Sequence, residues 1–113
     1  LQTLEACELI AAEDTRRTRK LLTHYGVSRP LVSYYEHNET KRIPTILAAQ
    51  REGKDVALVS DAGSPGINDP GFRLVREAVD QGMPVTALPG PSAVILALSV
   101  SGLPTDRFSF YGF

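Results

Sequence analysis

Apolar and polar positions along the 113 residues alternate between two periods in a repeating order. Short apolar runs at residues 9–12, 30–35, 55–60 and 84–88 read as strands, and a stretch of helical spacing follows each. Thr18, Leu21, Leu22 and Tyr25 recur at i, i+3, i+4 and i+7, with Asp14 or Thr15 placed to cap that helix. Ile43, Ile46 and Leu47 mark a second amphipathic helix, where Pro44 is expected in the first turn, the one place a helix tolerates it. Leu74, Val75, Ala78 and Val79 mark a third. Residues 91–101 differ, because Ala93, Val94, Ile95, Leu96, Ala97, Leu98 and Val100 leave hardly any polar face. Such a helix is expected in a core or under a partner domain. Gly26, Gly53, Gly82 and Gly102 stand where the four helices should end.

Alternating strand and helix predicts an α/β fold, a mainly parallel sheet with helices on both faces. The run Val56, Ala57, Leu58, Val59 predicts a strand buried on both sides. By length, residues 1–113 form a single domain. Leu1, Leu4, Ala6 and Cys7 read as the closing turns of a helix already under way, and residues 108–113 stop within an aromatic stretch, so a longer chain is expected.

Composition narrows the function classes. Twelve basic and thirteen acidic residues leave a net charge of −1, so any contact with nucleic acid must be local. A single cysteine, Cys7, excludes an internal disulfide, fits a reducing, cytoplasmic setting, and is expected simply to pack. The longest apolar run, residues 93–98, is far shorter than the roughly 20 residues a membrane-spanning helix needs, and no membrane partner is expected.

Chemistry is expected where strands give way to loops. The segment after Val59 contains Asp61, Ala62, Gly63, Ser64, Pro65, Gly66, Ile67, Asn68, Asp69, Pro70 and Gly71, and open α/β sheets bind ligands at such strand ends. A second segment, Leu88, Pro89, Gly90, Pro91, Ser92, Ala93, leads into a helix whose first N–H groups and partial positive charge suit a carboxylate or phosphate. Taken alone, Pro91 and Ser92 could simply start that helix; two such loops at neighbouring strand ends would share one crevice. Neither is a dinucleotide glycine fingerprint or a phosphate-binding loop. Asp61 and Asp69 lack the spacing of a calcium loop, and no metal is expected.

Other groups carry two readings each. Glu13 and Asp14 could hydrogen-bond a ribose, while Asp14 serves equally as an N-cap. His37 could accept a proton or sit in a solvated turn. Arg16, Arg17, Arg19 and Lys20 could grip phosphates or form a solvated helix face. Of Tyr34 and Tyr35, which could stack on bases, one is expected to pack into the core. His24, in a last helical turn, is expected to face the helix dipole.

Together, Leu9 through Arg16, His37-Asn38-Glu39, Leu58 through Pro65 with Asn68 through Gly71, Leu88 through Ala93, and Gly102 through Phe108 with Gly112-Phe113 resemble the ribosomal RNA small subunit methyltransferase I family of the tetrapyrrole (corrin/porphyrin) methylase superfamily. The resemblance implies S-adenosylmethionine-dependent methylation of the 2′-hydroxyl of a cytidine in small-subunit ribosomal RNA, by a homodimer. It also implies a cofactor trough between two α/β domains. By the same resemblance, Ala62, Gly63, Ser64, Pro65 and Ile67 match the first cofactor loop, and Ser92 and Ala93 the second, with Asp61, Pro89, Gly90 and Pro91 flanking them. Asp14, Arg16, Arg17, His37, Asn38 and Glu39 are assigned to the substrate side, with His37, Glu39 and Asp14 as candidate bases. The family's first strand and its C-terminal domain should lie outside residues 1–113, so little catalysis is expected of this piece alone. Two rivals keep the cofactor site: methylation of a tetrapyrrole, disfavoured by the cations at residues 16–20, and a non-catalytic ribosome-binding or dimerisation module, disfavoured by the intact loops.

Overall fold

A computed structural model describes residues 1–112, which leaves Phe113, the last residue quoted for the resemblance, outside the described residues. The chain divides into two compact units, Leu1–Gly63 and Ser64–Phe113.

The first unit is a sheet with its helices. In order, α1 (Gln2–Ala6) is followed by β1 (Leu9–Ala12), α2 (Thr15–His24), β2 (Leu31–Ser33), α3 (Glu39–Arg51) and β3 (Val56–Val59). All pairing is parallel and the strand order is β2-β1-β3. The α/β expectation holds, yet burial falls differently from the sequence reading. The central strand is β1, whose Ile10, Ala11 and Ala12 are 0% exposed, while β3, expected to be covered on both faces, is an edge strand with all four residues half-buried. Apolar content alone could not rank the two strands, because centrality is set by which strand finds two neighbours. Cys7, Ile10 and Leu22 form a buried cluster against which Leu4, Val27, Leu31, Ala57 and Val59 pack. Cys7 therefore packs as expected, and burial pushes its thiol pKa up, which keeps it protonated and unreactive.

The helices of this unit show what spacing resolves. Ile43, Ile46 and Leu47 of α3 are all buried, as their spacing requires. On α2 the buried positions are Thr18 and Leu22, whereas Leu21 and Tyr25 are exposed, so the covered stripe is narrower than predicted. A further correction concerns Pro44. Helix α3 starts at Glu39, which places Pro44 inside it rather than in its first turn. The proline withholds one N–H from the carbonyl of Thr40; both residues are exposed, so water can take that carbonyl.

The second unit holds α4 (Phe72–Asp80) and α5 (Ala93–Val100), which pack on each other. Leu74 and Ala78 of α4 are buried, Val75 is half-buried and Val79 exposed. One expectation is corrected here. Residues 84–88 form no strand: Pro84 and Pro89 bracket the run without ladder donors, and only a period-two trace remains, with Val85 and Ala87 half-buried between exposed neighbours. Helix α5 has no buried residue, although its sequence is apolar nearly all round. Gly26, Gly53, Gly82 and Gly102 all take positive φ (69°, 81°, 69° and 70°), the left-handed turn-off predicted for them. Among the described residues no helix is long and apolar enough to cross a membrane.

Candidate functional site

Parallel pairing puts the carboxyl ends of the three strands on one rim. Ala12 is level with Ser33 of β2 and Val59 of β3, so the chain leaves the sheet along a common edge at Glu13, Tyr34 and Ser60. The groups expected to carry chemistry in the first unit follow these positions directly.

At the end of β1, Asp14 is the N-cap of α2. Its Oδ1 accepts from the Arg16 N–H at 2.8 Å, and the Arg16 side chain turns back to give Nε to Oδ1 (3.2 Å) and Nη2 to Oδ2 (2.9 Å). These Arg16 hydrogen bonds, from side chain and then backbone, lower the Asp14 pKa to about 2. Of the two readings of Asp14, the cap is realised, and a carboxylate held so acidic is a poor proton acceptor.

At the end of β3, Asp61 is tied to the same rim by three hydrogen bonds. Its N–H donates to Glu13 Oε2 at 3.2 Å, its Oδ1 accepts from the Asp14 N–H at 3.4 Å, and its Oδ2 pairs with Arg17 Nη1 at 3.0 Å. Ser60 Oγ donates to the carbonyls of Ala62 and Gly63, which bends the segment sharply as it leaves the strand. Ala62 and Gly63 themselves are exposed.

Beyond β2, Asn38 and Glu39 serve the local architecture. Asn38 Oδ1 accepts from the Tyr35 N–H at 2.9 Å, and its Nδ2 donates to the Ser33 carbonyl and hydroxyl. Glu39 is buried and accepts from the Tyr34 hydroxyl at 3.2 Å. Tyr34 is thus the core tyrosine, and Tyr35 is exposed with His37 edge-on to it at 6.4 Å between ring centres. His37 is exposed.

The second unit contains the rest of the predicted cofactor residues. The Ile67 N–H donates to the Ser64 carbonyl (3.1 Å) and the Gly66 N–H to the Pro70 carbonyl (3.3 Å), while Thr105 Oγ1 donates to the Gly66 carbonyl. Gly66, with φ of 81°, is buried against the start of α4, where a Cβ would meet the Phe72 backbone nitrogen at 3.6 Å. Asn68 takes φ of 55°, a conformation asparagine tolerates better than most residues. Ser92 caps α5, its Oγ accepting from the Ile95 N–H at 3.4 Å. Open space surrounds Gly90, and the first-turn N–H groups of α5 at Ala93 and Val94 have no acceptor within the helix.

Local sequence could not have revealed the Asp61 ties, since Glu13, Asp14 and Arg17 lie 44 to 48 residues away from it. Their shared place just after strand ends was the one available signal. Among the described residues no three His, Cys, Asp or Glu side chains gather as a metal site.

A parallel sheet whose loops leave one rim is shared by many α/β proteins, and comparison with known proteins narrows the class. The sequence pattern of the tetrapyrrole (corrin/porphyrin) methylases matches residues 1–111, and the chain belongs to that family. Within it, the chain is 53% identical over its full length to the ribosomal RNA small subunit methyltransferase I of Escherichia coli O157:H7 and 51% identical to that of Mesorhizobium japonicum, covering 40% and 38% of those proteins. It is 52% identical to the protein of the same name from Thermotoga maritima, of which it covers 51%. The chain thus spans about two fifths to one half of the length of these relatives.

Proposed function

We propose that this chain is the cofactor-holding part of a cytoplasmic S-adenosylmethionine-dependent methyltransferase acting on the ribose 2′-hydroxyl of a cytidine in small-subunit ribosomal RNA. The whole protein acts as a homodimer. One observation carries the reading: the loop whose sequence matches the family's cofactor loop leaves the same sheet rim as the cation-bearing helix α2 and the His37 turn. Identity of about one half across the whole chain to relatives of that name supports the choice of acceptor.

The residues present suit the cofactor's chemistry. Asp61, Ala62, Gly63, Ser64, Pro65 and Ile67 form one loop, in which the exposed backbone at Ala62 and Gly63 permits close approach. Pro89, Gly90, Pro91, Ser92 and Ala93 form the other, which leads into the start of α5, where the partial positive charge of the helix suits the carboxylate of the amino-acid moiety. When bound, the sulfonium cofactor supplies an electrophilic methyl group, so the protein's task is alignment and exclusion of water. Arg19 and Lys20 offer exposed cations of α2 to the RNA backbone. His37 takes the proton of the 2′-hydroxyl: Glu39 is buried against Tyr34, and Asp14 is locked to Arg16.

The test is methyl transfer from labelled cofactor to isolated small ribosomal subunits by the full-length protein carrying this sequence, followed by nucleoside analysis. Label in 2′-O-methylcytidine is expected, with His37→Gln lowering kcat far more than KM. Label only in an added tetrapyrrole, or cofactor binding without transfer, overturns the reading in favour of one rival or the other.

A further inference from the structure

We infer that Arg17 is a positioning residue for the cofactor loop, acting through Asp61, rather than a contact to RNA. The inference rests on the methyltransferase reading above and goes beyond it by assigning a role to the Glu13, Asp14, Arg17 and Asp61 cluster.

Side-chain and backbone hydrogen bonds close the β1–β3 pair at both of its ends. At the amino end, the Glu8 N–H donates to the Asp55 carbonyl at 2.9 Å and the Asp55 N–H donates to Glu8 Oε2 at 2.7 Å. At the carboxyl end the tie is similar, with the Asp61 N–H on Glu13 Oε2 and the Asp14 N–H on Asp61 Oδ1. Each carboxylate accepts a backbone donor that the parallel ladder leaves over where it stops. The carboxyl-end tie has one addition: Arg17 Nη1 reaches Asp61 Oδ2 at 3.0 Å from the first turn of α2.

That addition changes what the tie can do. Asp61 is the first residue of the predicted cofactor loop, and three hydrogen bonds fix it: one to Glu13 just after β1, one to the cap residue of α2 and one to the α2 side chain of Arg17. The Asp61 side chain is 22% exposed and that of Arg17 is 67% exposed, so the pair lies at the surface and its strength is that of a partly solvated ion pair. An arginine engaged in this way has its charge matched and its fork directed at the loop. Arg16, in contrast, is 89% exposed at the side chain and closes back on Asp14, two residues away. Neighbouring arginines of one helix are thereby divided: Arg16 reinforces the helix cap, and Arg17 sets the angle at which the cofactor loop departs from β3.

The test uses full-length protein, with calorimetric titration of S-adenosylmethionine and separate binding of small ribosomal subunits across a salt series. Arg17→Ala is expected to weaken cofactor binding roughly threefold, the scale of one partly exposed ion pair, with subunit affinity and its salt slope unchanged. Arg17→Lys should restore most of the loss, since one donor on Asp61 Oδ2 suffices. Combining Arg17→Ala with Asp61→Asn, which keeps the Oδ1 acceptor, should cost no more than the weaker-binding single variant. Glu8→Ala, which cuts the matching tie at the other end of the strands, should leave cofactor affinity unchanged. The inference is overturned if Arg17→Ala spares cofactor binding and instead weakens subunit binding with a salt slope smaller by about one, the signature of a lost phosphate contact. Equal cofactor losses for Glu8→Ala and Arg17→Ala would overturn it as well, by showing general loosening of the sheet. Wild-type protein that fails to bind S-adenosylmethionine refutes the methyltransferase reading itself, a failure distinct from both.

Discussion

Strand β1 and helix α5 are both apolar nearly throughout, and their fates differ. Ile10, Ala11 and Ala12 of β1 have no exposed surface, whereas no residue of α5 is buried. The difference teaches that apolar content states how much cover an element demands, not how much residues 1–112 supply. β1 is covered because strands pair on both of its sides and Cys7 and Leu22 cluster with Ile10. In the second unit, α5 packs on the short helix α4, whose buried positions are Leu74 and Ala78.

The largest effect that would test this contrast is on stability. Ile10→Ala should lower unfolding free energy by about 3 kcal/mol, from lost burial plus the cavity left behind. Leu96→Ala in α5, half-buried, should cost about 1 kcal/mol or less. Denaturant midpoints of the two variants decide the matter, and equal losses would show that α5 is as well covered as β1.

A smaller effect sharpens the comparison at the start of α5. Ser92→Ala removes the cap acceptor and should cost about 1 kcal/mol, while Ser92→Asp keeps an acceptor and should restore stability. If the helix start receives a carboxylate ligand, Ser92→Asp will nonetheless bind S-adenosylmethionine more weakly than Ser92→Ala, because like charges then meet. Calorimetry on both variants separates the structural role from the binding role.

The smallest effect concerns the sheet rim. The Asp14 carboxyl should titrate near pH 2, and its folded pKa lies below the ordinary value of 3.8. The sign follows: its contribution to stability is fully present above the unfolded pKa and is lost as pH falls from about 4 towards 2. Carboxyl chemical shifts followed by NMR should show that midpoint, and Arg16→Ala should move it back towards 3.8. A wild-type midpoint near 4 would mean that the Arg16 clamp does not form in solution.

How much of this was legible beforehand follows from the range of each signal. Local signals gave the α/β class, the buried stripe of α3, the four left-handed glycines and the caps at Asp14 and Ser92, because each depends on residues a turn or two apart. Pro44 was misplaced because the hydrophobic spacing begins only at Ile43, whereas the helix starts four residues earlier at Glu39, directly after the polar Asn38 turn. Residues 84–88 carry strand composition, but a strand also requires a neighbour, and no propensity supplies one. At the candidate site, the loops were visible as runs of glycine, proline and small polar residues. The Arg17–Asp61 pairing was not, because a separation of 44 residues leaves no trace in periodicity.

Photo-crosslinking of methyl-labelled S-adenosylmethionine to the full-length protein, with the labelled peptides mapped, tests most directly that the two loops hold the methyl donor. Label within residues 61–67 or 89–93, displaced by excess unlabelled cofactor, is the predicted result. Displaceable label confined to other parts of the protein would contradict the account.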